Sequence, residues 1–244
     1  MERWLTHGVV GHVFWPTKEI TINFGGHKIL LKPATRNTEQ AICIRLDRIT
    51  EKEATKLFNQ FLSILSWCEG QSAQLIEGVI TAVPGSIGTA RETGSSISGL
   101  FDFFNRNPIN DPKKRLALAL YREAVTVNSI PYRFLGFFKV ISVCLGETKA
   151  TNDQVAQILP KLADEQAKIR IKKLEANKIS VPDYLYEQRR CTITHVTRPP
   201  VLNPDEEDIR ILSKDVYIVR AIAEYLIENK LEISKTILSD KIVT

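Results

Sequence analysis

Residues 118–141 read Leu118-Ala119-Leu120-Tyr121-Arg122-Glu123-Ala124-Val125-Thr126-Val127-Asn128-Ser129-Ile130-Pro131-Tyr132-Arg133-Phe134-Leu135-Gly136-Phe137-Phe138-Lys139-Val140-Ile141. Two helices meet here across a short link. The first opens at Asp111-Pro112, an N-cap residue followed by proline at the first helical position, and ends near Asn128. The second opens at Ile130-Pro131 and carries Phe134, Leu135, Phe137, Phe138, Val140, Ile141, Val143 and Cys144. It is apolar nearly all round, which predicts a central, buried helix.

The helical character extends downstream. Thr151 or Asn152 is expected to cap a charged helix reaching to about Asn177, with Pro160 breaking or kinking it. Its run KLADEQAKIRIKKLEANK over 161–178 reads as a solvated amphipathic face, with RNA contact as the second reading. Pro182 starts a further helix through Tyr184 and Tyr186 to Arg189 and Arg190, and Pro199-Pro200 end the segment beyond His195. Asn203-Pro204 and the acids of 205–208 suit the start of a last long helix, ending near Asn229.

Upstream the period changes from that of a helix to that of a strand. Ile20, Ile22 and Phe24 alternate with polar neighbours, Gly25-Gly26 supplies a two-residue turn, and His27–Leu31 returns. Strands are also expected over Gly8–Phe14, Ala41–Leu46 and Ala73–Val83. One helix, Glu51–Trp67, interrupts them, with Thr50 as N-cap and Glu53 closing a capping box. The fold class is therefore α+β. A β-rich module with one helix over residues 1–84 precedes a flexible linker over 85–105 and a helical domain over 106–244. The linker is centred on the Gly/Ser-rich stretch of residues 84–99. That stretch lacks G-x-x-x-x-G-K-[ST] and contains no lysine, so it does not read as a phosphate-binding loop.

Bulk properties exclude several classes. The chain has 244 residues, 43% hydrophobic, which sustains a folded core. Met1 is followed by Glu2 and Arg3 rather than an apolar run, and no stretch is long enough to cross a bilayer. The expectation is a cytoplasmic protein without membrane contact. Cys43, Cys68, Cys144 and Cys191 are scattered and form no C-x-x-C pair, so disulfides and zinc are not expected. His7, His12 and His27 show no metal-ligand spacing, and no cofactor is indicated. The net charge of +5 is uneven: residues 101–200 hold 17 basic and 10 acidic side chains. Such an excess attracts polyanions, though solvation of helix faces explains it equally simply.

Two stretches carry a family resemblance. The first joins Tyr121-Arg122-Glu123-Ala124, Ile130-Pro131-Tyr132-Arg133-Phe134-Leu135 and Phe137-Phe138-Lys139. It resembles the bacterial MauJ-like (methylamine utilisation protein J-like) group and related domains of the HEPN (higher eukaryotes and prokaryotes nucleotide-binding) superfamily. The second, Arg190-Cys191-Thr192-Ile193-Thr194-His195, has the spacing of the R-x4-H motif of HEPN ribonucleases. The resemblance covers roughly residues 110–230, and more loosely the helix around Phe61, Leu62, Leu65 and Trp67.

The resemblance implies a HEPN-like bundle that cuts or binds RNA without a metal, as a homodimer in bacterial defence or stress response. Arg190 would clamp phosphate and His195 would transfer protons. Arg189 is an alternative clamp, Glu187 would orient Arg190, and Tyr186 would stack on a base or pack the bundle. One Arg and one His form half a site, completed across a two-fold axis. Residues five apart do not stack on an ideal helix, but converge near a break such as Pro199-Pro200 would make. Three positions depart from the family pattern: Cys191 replaces a polar residue, Thr197 a tyrosine and Ser142 a glutamate. A rival reading is a non-catalytic dimerisation module in a larger complex. A third, resting on the family name, is an accessory role in amine metabolism.

Overall fold

The computed structural model describes residues 2–88, 107–146, 149–194 and 207–235. The linker from residue 89 onward, His195, Thr197, the prolines at 199, 200 and 204, and the acids at 205 and 206 lie outside the described residues. The chain is α+β and forms two compact units. The first comprises the described residues up to Arg115 together with Ser234 and Lys235, and the second runs from Leu116 to Ile233.

The first unit is a five-stranded antiparallel sheet with one helix. Its strands are β1 (Trp4–Gly11), β2 (Ile20–Phe24), β3 (His27–Lys32), β4 (Ala41–Arg45) and β5 (Ala73–Thr81), in the order β2-β3-β4-β1-β5. The alternation in β2 works as the sequence suggests, with Phe24 paired to His27 and Ile20 to Leu31. Gly25 and Gly26 both have positive φ, 61° and 77°, the conformation a two-residue hairpin turn demands. Helix α1 (Glu51–Glu69) begins with the expected capping box: Thr50 accepts from Glu53 N, and the Glu53 carboxylate accepts from Thr50 N. Phe58 and Phe61 of α1 meet His7 and Phe24 edge to face, so α1 covers one side of the sheet.

The other side is covered too. Gly85 N donates to Thr6 Oγ1 at 3.2 Å, Lys32 Nζ donates to the Pro84 carbonyl at 3.3 Å, and Ile87 is buried. That double cover explains why Ala41–Ile44 are all buried. The first strand corrects an expectation. It spans Trp4–Gly11 rather than Gly8–Phe14, because Trp4 pairs with Arg45 and the pairing ends at Gly11. A side chain at Gly11 would strike the Ser72 carbonyl.

The second unit is a bundle. Helices α2 (Pro112–Thr126) and α3 (Ile130–Leu145) cross closely, since a Cβ on Gly136 would come within 2.7 Å of Ala124 Cβ. Phe134, Phe137, Val140 and Ile141 are buried, as a central helix requires. The expected charged helix is two helices, α4 (Lys149–Ile158) and α5 (Glu165–Ala176), divided by a 3-10 turn that contains Pro160. Thr151 lies inside α4 rather than capping it, and Asp164 caps α5 through Ala167 N. A short helix α6 (Val181–Asp183) leads into a π-helical segment (Tyr184–Arg190), then α7 (Cys191–Thr194) and the long α8 (Glu207–Asn229).

Candidate functional site

The π-helical segment decides what each arginine can do. It comes directly after α6, which begins at Ser180-Val181-Pro182 and is pinned by two hydrogen bonds to the Asp183 carboxylate. Ser180 Oγ donates at 2.6 Å and Asn152 Nδ2 at 2.9 Å. In an α-helix, residues five apart point about 140° away from each other. In a π-helix the backbone bond itself spans five residues, as from Cys191 N to the Tyr186 carbonyl. Tyr184 and Arg189 are thereby brought to one side, with Arg189 Nε 2.7 Å from the Tyr184 hydroxyl.

That side faces the bundle interior. Asp215 of α8 is fully buried and binds three donors. Its Oδ1 accepts from Arg170 Nε of α5 at 2.7 Å. Its Oδ2 accepts from Arg189 Nε and the Tyr184 hydroxyl, each at 2.8 Å. Arg170 Nη2 also donates to the Tyr184 oxygen at 2.9 Å. Burial works against the Arg170 charge, but the Asp215 carboxylate outweighs it and holds the guanidinium above its ordinary value. Burial, reinforced by Asp215, also pushes the Tyr184 phenol up, so it remains a donor. Arg189 is thus held inside the bundle by Asp215 and Tyr184.

Arg190 has a different setting. Its guanidinium lies 5.1 Å from the centre of the Tyr186 ring, and Nη1 donates to the Tyr186 hydroxyl at 3.3 Å. Tyr186 is 37% exposed and leans against Phe138 of α3, which stacks on Phe134. The aromatic helix therefore supports a partly exposed arginine–tyrosine pair. Glu187 is exposed and makes no hydrogen bond or ion pair among the described residues. Beyond Arg190, Thr192 and Thr194 return their hydroxyls to the carbonyls of Gln188 and Arg190, which fixes this turn. The described residues bring Arg190 and Tyr186 together, place Arg189 on the opposite task, and end at Thr194, one residue before His195.

A second polar cluster ties α2 to α8. The Tyr121 hydroxyl donates to Glu224 Oε1 at 2.6 Å, and Arg220 Nε donates to the same oxygen at 2.8 Å. Burial, with the Glu224 charge, keeps the Tyr121 phenol protonated. Sequence reasoning missed Asp215, Arg170, Arg220 and Glu224. Asp215 had a legible signal: it falls between Leu212, Val216 and Val219 on the apolar stripe of α8, where an acid requires a buried partner. Among the described residues no group of three or more His, Cys, Asp or Glu side chains is placed to hold a metal.

Residues 117–228 match the family model described as methylamine utilization protein MauJ, and this part of the chain is similar to that family. No curated protein and no solved structure matches the chain.

Proposed function

We propose that the MauJ-like domain is a HEPN-type domain that binds single-stranded RNA through Arg190 and Tyr186 and cleaves it as a homodimer, with His195 as the proton-transfer group. The observation carrying this reading is the division of labour in the π-helical segment. Arg189 is held inside by Asp215, while Arg190 lies partly exposed over the ring of the exposed Tyr186. π-helical turns cost backbone hydrogen-bond quality and occur often at functional sites. A guanidinium beside an exposed tyrosine can hold phosphate oxygens in a fork while a base stacks on the ring.

In the proposed reaction the ribose 2′-hydroxyl attacks the adjacent phosphorus. The new 2′-O–P bond forms as the P–O5′ bond breaks, which leaves a 2′,3′-cyclic phosphate and a 5′-hydroxyl. One His195 takes the 2′ proton, and its counterpart in the second copy protonates the leaving oxygen. Arg190 offsets charge building on the phosphoryl oxygens.

Purified full-length protein should cleave single-stranded RNA in EDTA. His195→Ala should abolish cleavage with the melting temperature unchanged. Arg190→Ala should lose roughly a hundredfold in rate, and Arg190→Lys should rescue poorly because a point charge does not reproduce the fork. A folded dimer that neither binds nor cuts RNA, and that dissociates on His195→Ala, would leave the domain a non-catalytic dimerisation module.

A further inference from the structure

We propose that the sheet unit binds a nucleotide in the cleft between the β2–β3 turn and the first turns of α1. The cleft is open to solvent and spans about 660 Å³, within the range of small-molecule sites. Its lining is built for an anion at one end. Arg48 and Lys56 bring two full positive charges, and His27 adds a ring nitrogen. Arg48 is exposed and makes no ion pair or hydrogen bond among the described residues. The one acid of the lining, Glu53, already accepts from Thr50 N at 3.0 Å and Thr50 Oγ1 at 2.7 Å as part of the capping box.

The remaining wall suits a polar heterocycle rather than a bare phosphate. Gln60, Asn107 and Asn110 offer amides that both donate and accept, and none makes a hydrogen bond among the described residues. Leu57 and Pro108 supply an apolar side against which a flat base can lie. The turn is shaped to the same end. A Cβ at Gly25 would come within 2.7 Å of Leu57 and 3.0 Å of Pro108, whereas a Cβ at Gly26 would meet nothing within 4 Å. Phosphate on Arg48 and Lys56, with a base edge on the amides, is the chemistry these groups match. The site would give the sheet unit a ligand-sensing role that does not depend on cleavage by the helical domain.

Isothermal titration of the full-length protein with the four nucleoside 5′-monophosphates, their nucleosides, ribose 5-phosphate and inorganic phosphate tests this. At least one monophosphate should bind in the micromolar range, and its nucleoside and inorganic phosphate should each bind at least about tenfold more weakly. The exposed pair Arg48→Ala/Lys56→Ala should weaken that binding at least about tenfold with an unchanged melting temperature. The binding lost in the Arg48/Lys56 variant should persist in Arg190→Ala, which removes only nucleotide held by the helical domain. Three results would overturn the proposal: no binding of any monophosphate at millimolar concentration, equal binding of inorganic phosphate, or loss of binding in Arg190→Ala with full retention in the Arg48/Lys56 variant. The last would assign the nucleotide to the helical domain, and the RNA assays distinguish that outcome from a failure of the cleavage reading.

Discussion

Asp215 is buried in the helical unit and Glu69 is half-buried in the sheet unit, and the two carboxyl groups are treated in opposite ways. Asp215, in the helical unit, has two arginines and a tyrosine on its two oxygens. Glu69, the last residue of α1 in the sheet unit, has one partner: its Oε2 accepts from Phe14 N at 2.6 Å. Its Oε1 is buried without a hydrogen-bond partner among the described residues. Burial pushes the Glu69 carboxyl up to about 7, and its place at a helix C-terminus also disfavours negative charge. The difference teaches that burial alone does not decide whether a carboxyl group is a support or a weakness. The number of donors arranged around it does.

The largest effect should come from breaking the satisfied group. Asp215→Ala leaves Arg170, Arg189 and Tyr184 around an empty centre, and should cost about 3–5 kcal/mol in urea unfolding. A loss under about 1 kcal/mol would mean that the arginines find water and the cluster is not a support.

Glu69 should produce a smaller effect, one that depends on pH. Below about pH 4.5 it is protonated in both folded and unfolded chains. As pH rises from there to about 7, the unfolded carboxyl ionises while the folded one remains protonated, so stability falls across that window. Because the group is only half-buried, the loss should be on the order of 1–2 kcal/mol. Glu69→Gln, which keeps an acceptor for Phe14 N, should flatten this part of the stability–pH profile; an unchanged slope would rule Glu69 out as its source.

The smallest stability effect should be at Arg190. Arg190→Ala removes a partly exposed cation–π contact and should cost under about 1 kcal/mol, measured beside Asp215→Ala under the same conditions. A cost equal to that of Asp215→Ala would make Arg190 part of the bundle's framework rather than a ligand-facing group.

Much of the architecture could be read from periodicity and punctuation. Phe24-Gly25-Gly26-His27 marked the hairpin, Thr50 and Glu53 marked the start of α1, and Phe134 to Ile141 marked the central helix, since each signal is local. The first strand was harder. Trp4, Thr6 and Gly8 fall on one face and Leu5, His7 and Val9 near the other, so polar and apolar residues mix on both. Both faces are covered, and the usual contrast between core and solvent disappears. The candidate site was legible as a motif and not as a geometry. Arg189 and Arg190 are adjacent and chemically identical, and nothing local says which one turns inward. That choice comes from Asp215, twenty-six positions from Arg189 along the chain, and from a backbone bond pattern that side-chain propensities do not encode.

The π-helical segment also gives this stretch an unusual relation to chain length. One wide turn accommodates one residue more than an α-helical turn would, so deleting one residue of 185–188 would let the backbone relax to an ordinary α-helix, the lower-energy arrangement. Tyr184 and Arg189 would then stand at an α-helical spacing, about 40° apart around the axis, and would stay on one side of the helix beside Asp215. A single-codon deletion at 185–188 should therefore preserve the Asp215 cluster better than deletion of Tyr184 or Arg189 itself, and homologous chains with an ordinary α-helix here should be one residue shorter in this segment.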